Sequence, residues 1–149
     1  MCIQFVLAQS KHCDLLFKWT NDIEVRNNSF RTDFVEYEEH KKWFYGKLNS
    51  GQCLLYICYH GEEAIGQVRI DLEEHIGVIN YSVAKEYRGK GYGTNILKEV
   101  IEIIRSEKTN IKKLIGRVKH SNISSQKAFE KAAYDFVKAE EYIEYYKLI

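Results

Sequence analysis

The sequence predicts a single α+β domain in which a mixed, mostly antiparallel sheet of about seven strands is flanked by four helices. The chain of 149 residues has the length of one domain, and 45% of its residues are hydrophobic, which is enough for a substantial core. Runs of β type alternate with helical patterns, and two tight turns join three consecutive β segments. No repeat, linker or low-complexity tract interrupts this order, so residues 1–149 are expected to form one domain.

The first half of the chain is predicted to contain one strand and two helices. An apolar run at 3–7 predicts the strand, and a helix capped by Ser10 follows it. The polar stretch 21–34 has no clear periodicity, so no helix or strand is predicted there. The second helix, 37–48, has apolar residues at helical spacing. We expect it to bury Trp43, Phe44 and Leu48.

The second half is predicted to supply the rest of the sheet and two more helices. Three β segments, at 54–59, 64–72 and 76–83, are separated only by short turns, which predicts an antiparallel meander. A long amphipathic helix begins near Gly91 and is expected to bury Ile96, Leu97, Val100, Ile101 and Ile104. A strand, a helix and two further strands complete the order, at 114–118, 120–133, 136–138 and 142–148.

The composition excludes several classes of function. Lys and Arg number 22 against 21 acidic residues, so no global basic field attracts nucleic acid. The four cysteines, at positions 2, 13, 53 and 58, show no zinc-like or C-x-x-C spacing, and we expect reduced thiols and no metal site. The start of the chain lacks the pattern of a signal peptide, and no apolar run approaches the ~20 residues of a membrane span. We therefore expect a cytoplasmic protein without membrane contact.

The stretch from Val83 to Thr94 carries the strongest functional signal. An apolar strand ends at Val83, and a glycine-rich loop then leads into the long helix. Such a loop directs backbone N–H groups and the positive end of the helix dipole at one point, which is typical of a phosphate site. The run is neither a Walker loop nor a dinucleotide fingerprint, because the glycine spacing and the mid-chain position differ from both.

The order Arg88-Gly89-Lys90-Gly91-Tyr92-Gly93 resembles the Arg-x-x-Gly-x-Gly signature of the GNAT superfamily of acyl-CoA N-acyltransferases. In that family the loop wraps the pyrophosphate of coenzyme A. The resemblance implies that acetyl-CoA is the co-substrate and that acetyl passes directly to a primary amine. It also implies cofactor contacts from the strand end and the loop, namely Tyr81, Ser82, Val83, Arg88, Gly89, Lys90, Gly91, Tyr92, Gly93 and Thr94.

A second segment, Asn122 to Lys131, is similar to the Asn-x-x-Ser-x-x-x-aromatic-Glu-Lys motif of the same superfamily. There it flanks the pantetheine arm, which implies cofactor contacts from Asn122, Ser125 and Phe129. The alternative interpretation is a capped helix in which Asn122 and Ser125 make only local hydrogen bonds. Many family members have Tyr where this chain has Phe129, and that Tyr protonates the leaving thiolate.

The catalytic residues are therefore only partly assigned. The resemblance places the Val83 N–H opposite the thioester carbonyl oxygen, and the catalytic candidates are Val83, Asn122 and Tyr134. The acid role stays open between Tyr134, Tyr81 and a water molecule. No general base is assigned, and Glu39, His40, His75 and Asn80 are all considered.

The acceptor is expected to bind to the first half of the chain. Its pattern around Trp19, Arg26 and Trp43 resembles the nucleotide-aminosugar N-acetyltransferases of the pseudaminic acid pathway. We expect arginines to hold a diphosphate and aromatic rings to stack on a base or sugar. The predicted substrate-binding residues are Trp19, Asn21, Arg26, Asn27, Phe30 and Arg31.

Several alternatives remain beside this interpretation. The aromatic residues of the first half can be helix core, and its arginines can be solvated. A protein N-terminal acetyltransferase of the ribosomal-protein type shares part of the pattern, and a non-catalytic acyl-CoA-binding module would keep the fold. The expected partner is a small-molecule amine, with no nucleic acid, and a homodimer is left open.

Overall fold

The computed structural model describes residues 2–107 and 109–149, and within them the chain forms seven strands and five α-helices. The strands are β1 Gln4–Leu7, β2 Cys53–His60, β3 Glu63–Glu73, β4 Ile76–Val83, β5 Lys113–Val118, β6 Asp135–Lys138 and β7 Ile143–Leu148. The helices are α1 Cys13–Thr20, α2 Ile23–Asn28, α3 Tyr37–Leu48, α4 Tyr92–Ser106 and α5 Ile123–Lys131. No described helix has both the length and the hydropathy that a membrane crossing requires.

The predicted α+β class and mixed sheet are confirmed, and the predicted number of helices is wrong by one. The additional helix is α2, which lies inside the stretch that received no element. Its six residues include no buried side chain, so no apolar periodicity marks it in the sequence. The helix depends on its cap instead, since the Val25 N–H donates to Asp22 Oδ1 at 3.2 Å.

The chain also enters α1 differently from the prediction. Ser10 does not cap the helix, because Ser10–His12 forms a short 3₁₀ turn that precedes it. The Gln9 N–H donates to His12 Nδ1 at 2.9 Å and closes this turn.

The strand order across the sheet is β1-β2-β3-β4-β5-β7-β6. All neighbours are antiparallel except β4 and β5, which run parallel. These two strands pair only where Ile76–Val78 lies beside Lys113–Ile115. Since β4 continues to Val83 and β5 to Val118, the two strands separate beyond this point. The backbone of the last part of β4 is therefore available to a ligand in the gap.

Helices α4 and α5 cover one face of the sheet. The five apolar residues of α4 that the sequence pattern selected are all buried there. Phe129 of α5 stacks on Tyr145 of β7, with ring centroids 4.8 Å apart. A Cβ atom at Gly116 of β5 would lie 2.5 Å from Cζ of Phe129, so glycine is required for this helix to approach the sheet.

Helices α1 and α3 cover only part of the opposite face. Their buried residues pack on Leu55 and Ile57 of β2 and include Trp19 and Phe44. Leu48 is half-buried against the same cluster, but Trp43 retains 37% exposure, so the prediction that Trp43 is buried is wrong. Trp43 instead faces the neighbouring part of the sheet, where polar residues of β3, β4 and β5 are left open.

Candidate active site

A cavity of about 930 Å³ opens where β4 and β5 separate. The loop before α4 and the N-terminal part of α5 form one side of the cavity. The segment from α1 to α3 forms the other side, and the polar face of β3, β4 and β5 forms its floor. Among the described residues, no group of His, Cys, Asp or Glu is arranged to hold a metal ion.

The glycine loop has the backbone geometry of an anion site. Gly89 and Gly91 have φ values of +78° and +86°, which only glycine adopts without strain. Gly91 is the N-cap of α4, and no side chain caps the N–H groups of the first turn. A Cβ atom at Gly91 would meet nothing within 4 Å, so the space in front of the helix is open. These features fit the pyrophosphate of coenzyme A.

Arg88 lines the cavity, but its guanidinium fastens the loop to α2. Its Nε donates to the Val83 carbonyl oxygen at 3.0 Å, and its Nη atoms lie 2.8 Å from Asp22 Oδ1 and 2.9 Å from Glu24 Oε2. Although burial raises it, the pKa of Asp22 is held below its usual value by Arg88 and the Val25 N–H. Arg88 therefore fastens the loop to α2, and the backbone N–H groups of the loop remain as candidate phosphate donors.

Two tyrosines were candidates for the acid, and the structure places them differently. Tyr81 lines the cavity, and its hydroxyl lies 2.9 Å from Ser125 Oγ. Burial raises the pKa of Tyr81 to about 12, so the phenol keeps its proton at neutral pH. Tyr134 is buried outside the cavity lining, and its hydroxyl donates to the Leu97 carbonyl oxygen at 2.9 Å. Of these two tyrosines, Tyr81 is thus the one that lines the cavity.

The remaining predicted cofactor residues mostly surround the same cavity. Ser82, Val83 and Phe129 line it, together with the loop from Gly91 to Thr94. Asn122 lines it as well, while its Oδ1 accepts a hydrogen bond of 3.2 Å from the Ser125 N–H. Asn122 therefore makes the local cap that was the alternative interpretation. Lys90 is not part of the lining, and its Nζ lies 5.8 Å from the Tyr87 ring centroid.

Of the predicted substrate-binding residues, four line the cavity, namely Trp19, Arg26, Phe30 and Arg31. Asn21 and Asn27 do not. The Asn21 side chain instead makes two hydrogen bonds of 2.9 Å to the backbone of Val35. The carbonyl oxygen of Asn27 accepts a hydrogen bond from Lys119 Nζ at 3.2 Å.

The two arginines expected to hold a diphosphate are already engaged by protein groups. Arg26 donates to the carbonyl oxygens of Thr20, Arg31 and Asp33 at 2.6, 2.9 and 3.3 Å. Arg31 pairs with the carboxylates of Asp33 and Glu39 through all three of its guanidinium nitrogens. Arg26 therefore fixes the chain after α2, and Arg31 is an exposed, neutralised ion pair.

We expect Arg26→Ala to lower the free energy of unfolding by about 2 kcal/mol, because charged hydrogen bonds to backbone carbonyl groups are lost. Urea denaturation measures this change. The matched control is Arg105→Ala, which removes only an exposed pair with Glu102 and should change stability by less than about 0.5 kcal/mol. Unchanged stability together with a raised acceptor KM would indicate that Arg26 binds the acceptor and does not mainly stabilise the fold.

The candidate bases differ in their access to the cavity. His40 lines it, but the ring is buried and its Nε2 lies 2.9 Å from the Cys13 carbonyl oxygen. Burial lowers the pKa of His40. Glu39 is paired with Arg31, which lowers its pKa, and His75 lies outside the lining. Asn80 lines the cavity and accepts a hydrogen bond of 3.2 Å from Gln67 Nε2.

Three polar residues of the cavity floor were not predicted from the sequence to belong to the site. These are Gln67 and Arg69 of β3, with Arg117 of β5, and Trp43 lies beside them. The sequence did contain a signal for these residues. Polar and apolar residues alternate along β3, which directs Gln67, Arg69 and Asp71 to one face in the middle of the sheet. Polar residues at such a position indicate a face that no helix covers.

The fold and this cavity define a class of transferase, and a comparison with family models identifies it. The chain belongs to the acetyltransferase (GNAT) domain family, whose model matches residues 3–134. The protein is an acetyl-CoA-dependent N-acetyltransferase of this type, with acetyl-CoA as co-substrate. A search of curated proteins finds no match.

Solved structures share the fold at low sequence identity. An aminoglycoside acetyltransferase in complex with coenzyme A and kanamycin is 15% identical over 99% of this chain and 95% of that chain, with a TM-score of 0.83. A spermidine N-acetyltransferase from Vibrio cholerae in complex with CoA and spermine is 11% identical over 98% and 95%, with a TM-score of 0.86. A ribosomal alpha-N-protein acetyltransferase in complex with coenzyme A is 15% identical over 99% and 94%, with a TM-score of 0.82. The resemblance to the pseudaminic acid pathway enzymes gains no support from these comparisons.

Proposed function

We propose that this enzyme transfers acetyl directly from acetyl-CoA to the 4-amino group of a UDP-linked amino sugar. The observation that carries the proposal is the charge of the cavity lining. Its basic side chains are Arg26, Arg31, Arg69, Arg88, Arg117, Lys127 and Lys131. Arg31 and Arg88 are each balanced by two carboxylates, of which Glu24 and Glu39 belong to the lining. Arg26, Lys127 and Lys131 form no ion pair with a carboxylate of the described residues, so the lining keeps an excess of positive charge. A polycationic acceptor is repelled by such a surface, whereas an acceptor that carries phosphates is attracted.

In the proposed reaction the enzyme mainly positions the two substrates. The backbone at the end of β4 would hold the pantetheine arm, and the Val83 N–H would polarise the thioester carbonyl. The neutral amine attacks the carbonyl carbon and the C–N bond forms. The C–S bond then breaks, the thiolate leaves, and the nitrogen releases its extra proton to water to give the amide. Tyr81 takes the role of hydrogen-bond donor to that thiolate, since its phenol lines the cavity and stays protonated.

Direct transfer is supported by the positions of the cysteines. All four are free thiols, and none belongs to the described lining of the cavity. Burial raises the pKa of Cys13, Cys53 and Cys58, which leaves these thiols protonated and poorly nucleophilic. An acyl-cysteine intermediate therefore has no suitable residue at the site.

A competition among acceptors tests the proposal. A UDP-4-amino sugar, a ribosomal-protein N-terminal peptide, spermidine and kanamycin are compared at equal concentration by release of the CoA thiol. We expect the highest kcat/KM for the UDP-linked sugar. Preference for the peptide would favour the protein N-terminal acetyltransferase, and intact CoA binding without turnover on any amine would favour the non-catalytic module. The homodimer stays a prediction, which sedimentation equilibrium tests.

A further inference from the structure

Arg69 presents an unused guanidinium end to the cavity. Its Nε lies 3.0 Å from Asp71 Oδ2, and its Cζ lies 5.1 Å from the centroid of the Trp43 ring. Among residues 2–107 and 109–149, no hydrogen-bond acceptor engages either of its Nη atoms. The side chain is only 22% exposed and lines the cavity. Four N–H donors are therefore held in a fixed plane beside an aromatic ring without a protein acceptor.

This arrangement distinguishes Arg69 from three other arginines of the lining. Arg26, Arg31 and Arg88 use their Nη atoms for backbone or side-chain oxygens of the protein. A ligand would have to displace those partners before it could bind. At Arg69 the Nε contact and the stacking on Trp43 fix the plane of the guanidinium, while the outer edge remains available.

The local charge also favours an anion. Asp71 is shared, because Lys47 Nζ lies 2.7 Å from its Oδ1 while Arg69 Nε contacts its Oδ2. Two cations thus surround one carboxylate, and the group keeps a positive charge at the partly buried edge of the cavity. Since burial weakens screening by solvent, the electrostatic attraction between an anion and the Nη atoms would be stronger here than at an exposed arginine.

The register of the sheet places this group at a useful distance from the transfer point. Arg69 is the cross-strand partner of Asn80, which lies three residues before Val83 on β4. At about 3.3 Å per residue the subsite lies about 10 Å from the end of β4. Arg117 occupies the corresponding position on β5, two residues beyond the pair Val78–Ile115. Arg117 likewise uses Nε for a carboxylate, Glu144, at 3.3 Å, and its Cζ lies 5.6 Å from the Tyr142 ring centroid.

We propose that Arg69, stacked on Trp43, is a phosphate-binding subsite for the acceptor, and that Arg117 supports it from β5. The inference rests on the proposed function, since it names the residues that would hold the diphosphate of the nucleotide sugar. It replaces Arg26 and Arg31 in that role. A guanidinium edge binds two phosphate oxygens at once, which fixes the acceptor with its amine directed along β4 toward Val83.

The test measures binding separately from turnover. UDP is titrated calorimetrically into the protein saturated with CoA, so that the cofactor loop is occupied. We expect Arg69→Met to weaken UDP binding by about 10- to 100-fold, because charged hydrogen bonds to phosphate are lost. Arg69→Lys keeps the charge but not the paired donors, so its UDP affinity should lie between those of Arg69→Met and the wild type. Asp71 remains paired with Lys47 in both variants, so neither strands a buried carboxylate.

A control, a comparison variant and a kinetic measurement complete the design. Arg105→Met, at an exposed arginine outside the cavity, should leave UDP affinity unchanged. Arg31→Met should weaken UDP binding less than Arg69→Met does, because Arg31 is already paired with Asp33 and Glu39. In turnover of the UDP-linked sugar, Arg69→Met should raise KM and leave kcat and the CoA affinity unchanged. UDP binding that depends on Arg69, but without turnover of the sugar, would support the subsite and overturn the proposed acceptor. An unchanged UDP affinity in Arg69→Met, or a larger loss of UDP affinity in Arg31→Met, would overturn the subsite. Neither result would contradict acetyl transfer by the enzyme.

Discussion

Replacing Gly91 with aspartate is expected to weaken acetyl-CoA binding by about 100-fold or more, as measured by calorimetry. A side chain at Gly91 would project into open space in the cavity, in front of the first turn of α4. There the carboxylate would accept hydrogen bonds from the backbone N–H groups that a phosphate needs, and its charge would repel the pyrophosphate. The same carboxylate caps the helix, so the protein should remain folded.

The strain of the substitution needs its own control, because Gly91 has a φ of +86°. Gly61 has a φ of +63° and lies in the turn between β2 and β3, outside the cavity lining. A Cβ atom at Gly61 would likewise meet nothing within 4 Å. Gly61→Asp therefore imposes a similar backbone cost, about 1–2 kcal/mol, without touching the site. It should bind acetyl-CoA normally. If Gly91→Asp also binds normally, the loop is not the phosphate site.

The parts of the fold that follow from local periodicity were predictable from the sequence. Helix α4 buries the apolar face that its spacing indicates, and the meander of β2, β3 and β4 follows from two short turns. Helix α2 was not predictable in this way, because none of its residues is fully buried and it depends on a cap and on the ion pairs of Arg88. A short helix that is held by polar contacts leaves no hydrophobic pattern in the sequence.

The cofactor side of the site was easier to predict than the acceptor side for a related reason. The glycine loop is continuous in sequence, and its positive φ values follow from the residue type. The acceptor side depends on which arginines are neutralised by ion pairs, and these pairs involve residues of other elements. Arg31 is neutralised by Glu39 of α3, whereas Arg69 shares its carboxylate with Lys47. The sequence alone does not distinguish these two arginines.

Phe129 raises the question of what assists the departure of the thiolate, since its ring carries no hydroxyl. Tyr81 packs against Phe129 with ring centroids 5.8 Å apart, and its hydroxyl lies beside Ser125 on the same helix as Phe129. The Tyr81 pKa of about 12 lies well above the ordinary thiol value of about 8.5. In the proposed reaction the phenol would therefore stabilise the developing thiolate by donating a hydrogen bond while it retains its proton.

We accordingly expect Tyr81→Phe to lower kcat by about 10²-fold, the usual effect of removing one donor to a developing anion, while KM for acetyl-CoA changes little. Since a phenol with a raised pKa stays protonated throughout the neutral range, the loss should be the same from about pH 6 to about pH 10. Thiol release measured across that range provides the test. Tyr134→Phe is the matched control, because it removes a buried hydroxyl that donates to Leu97 outside the cavity and should reduce stability but not kcat. A larger loss of kcat in Tyr134→Phe than in Tyr81→Phe would assign the role to Tyr134 and contradict this assignment of the donor.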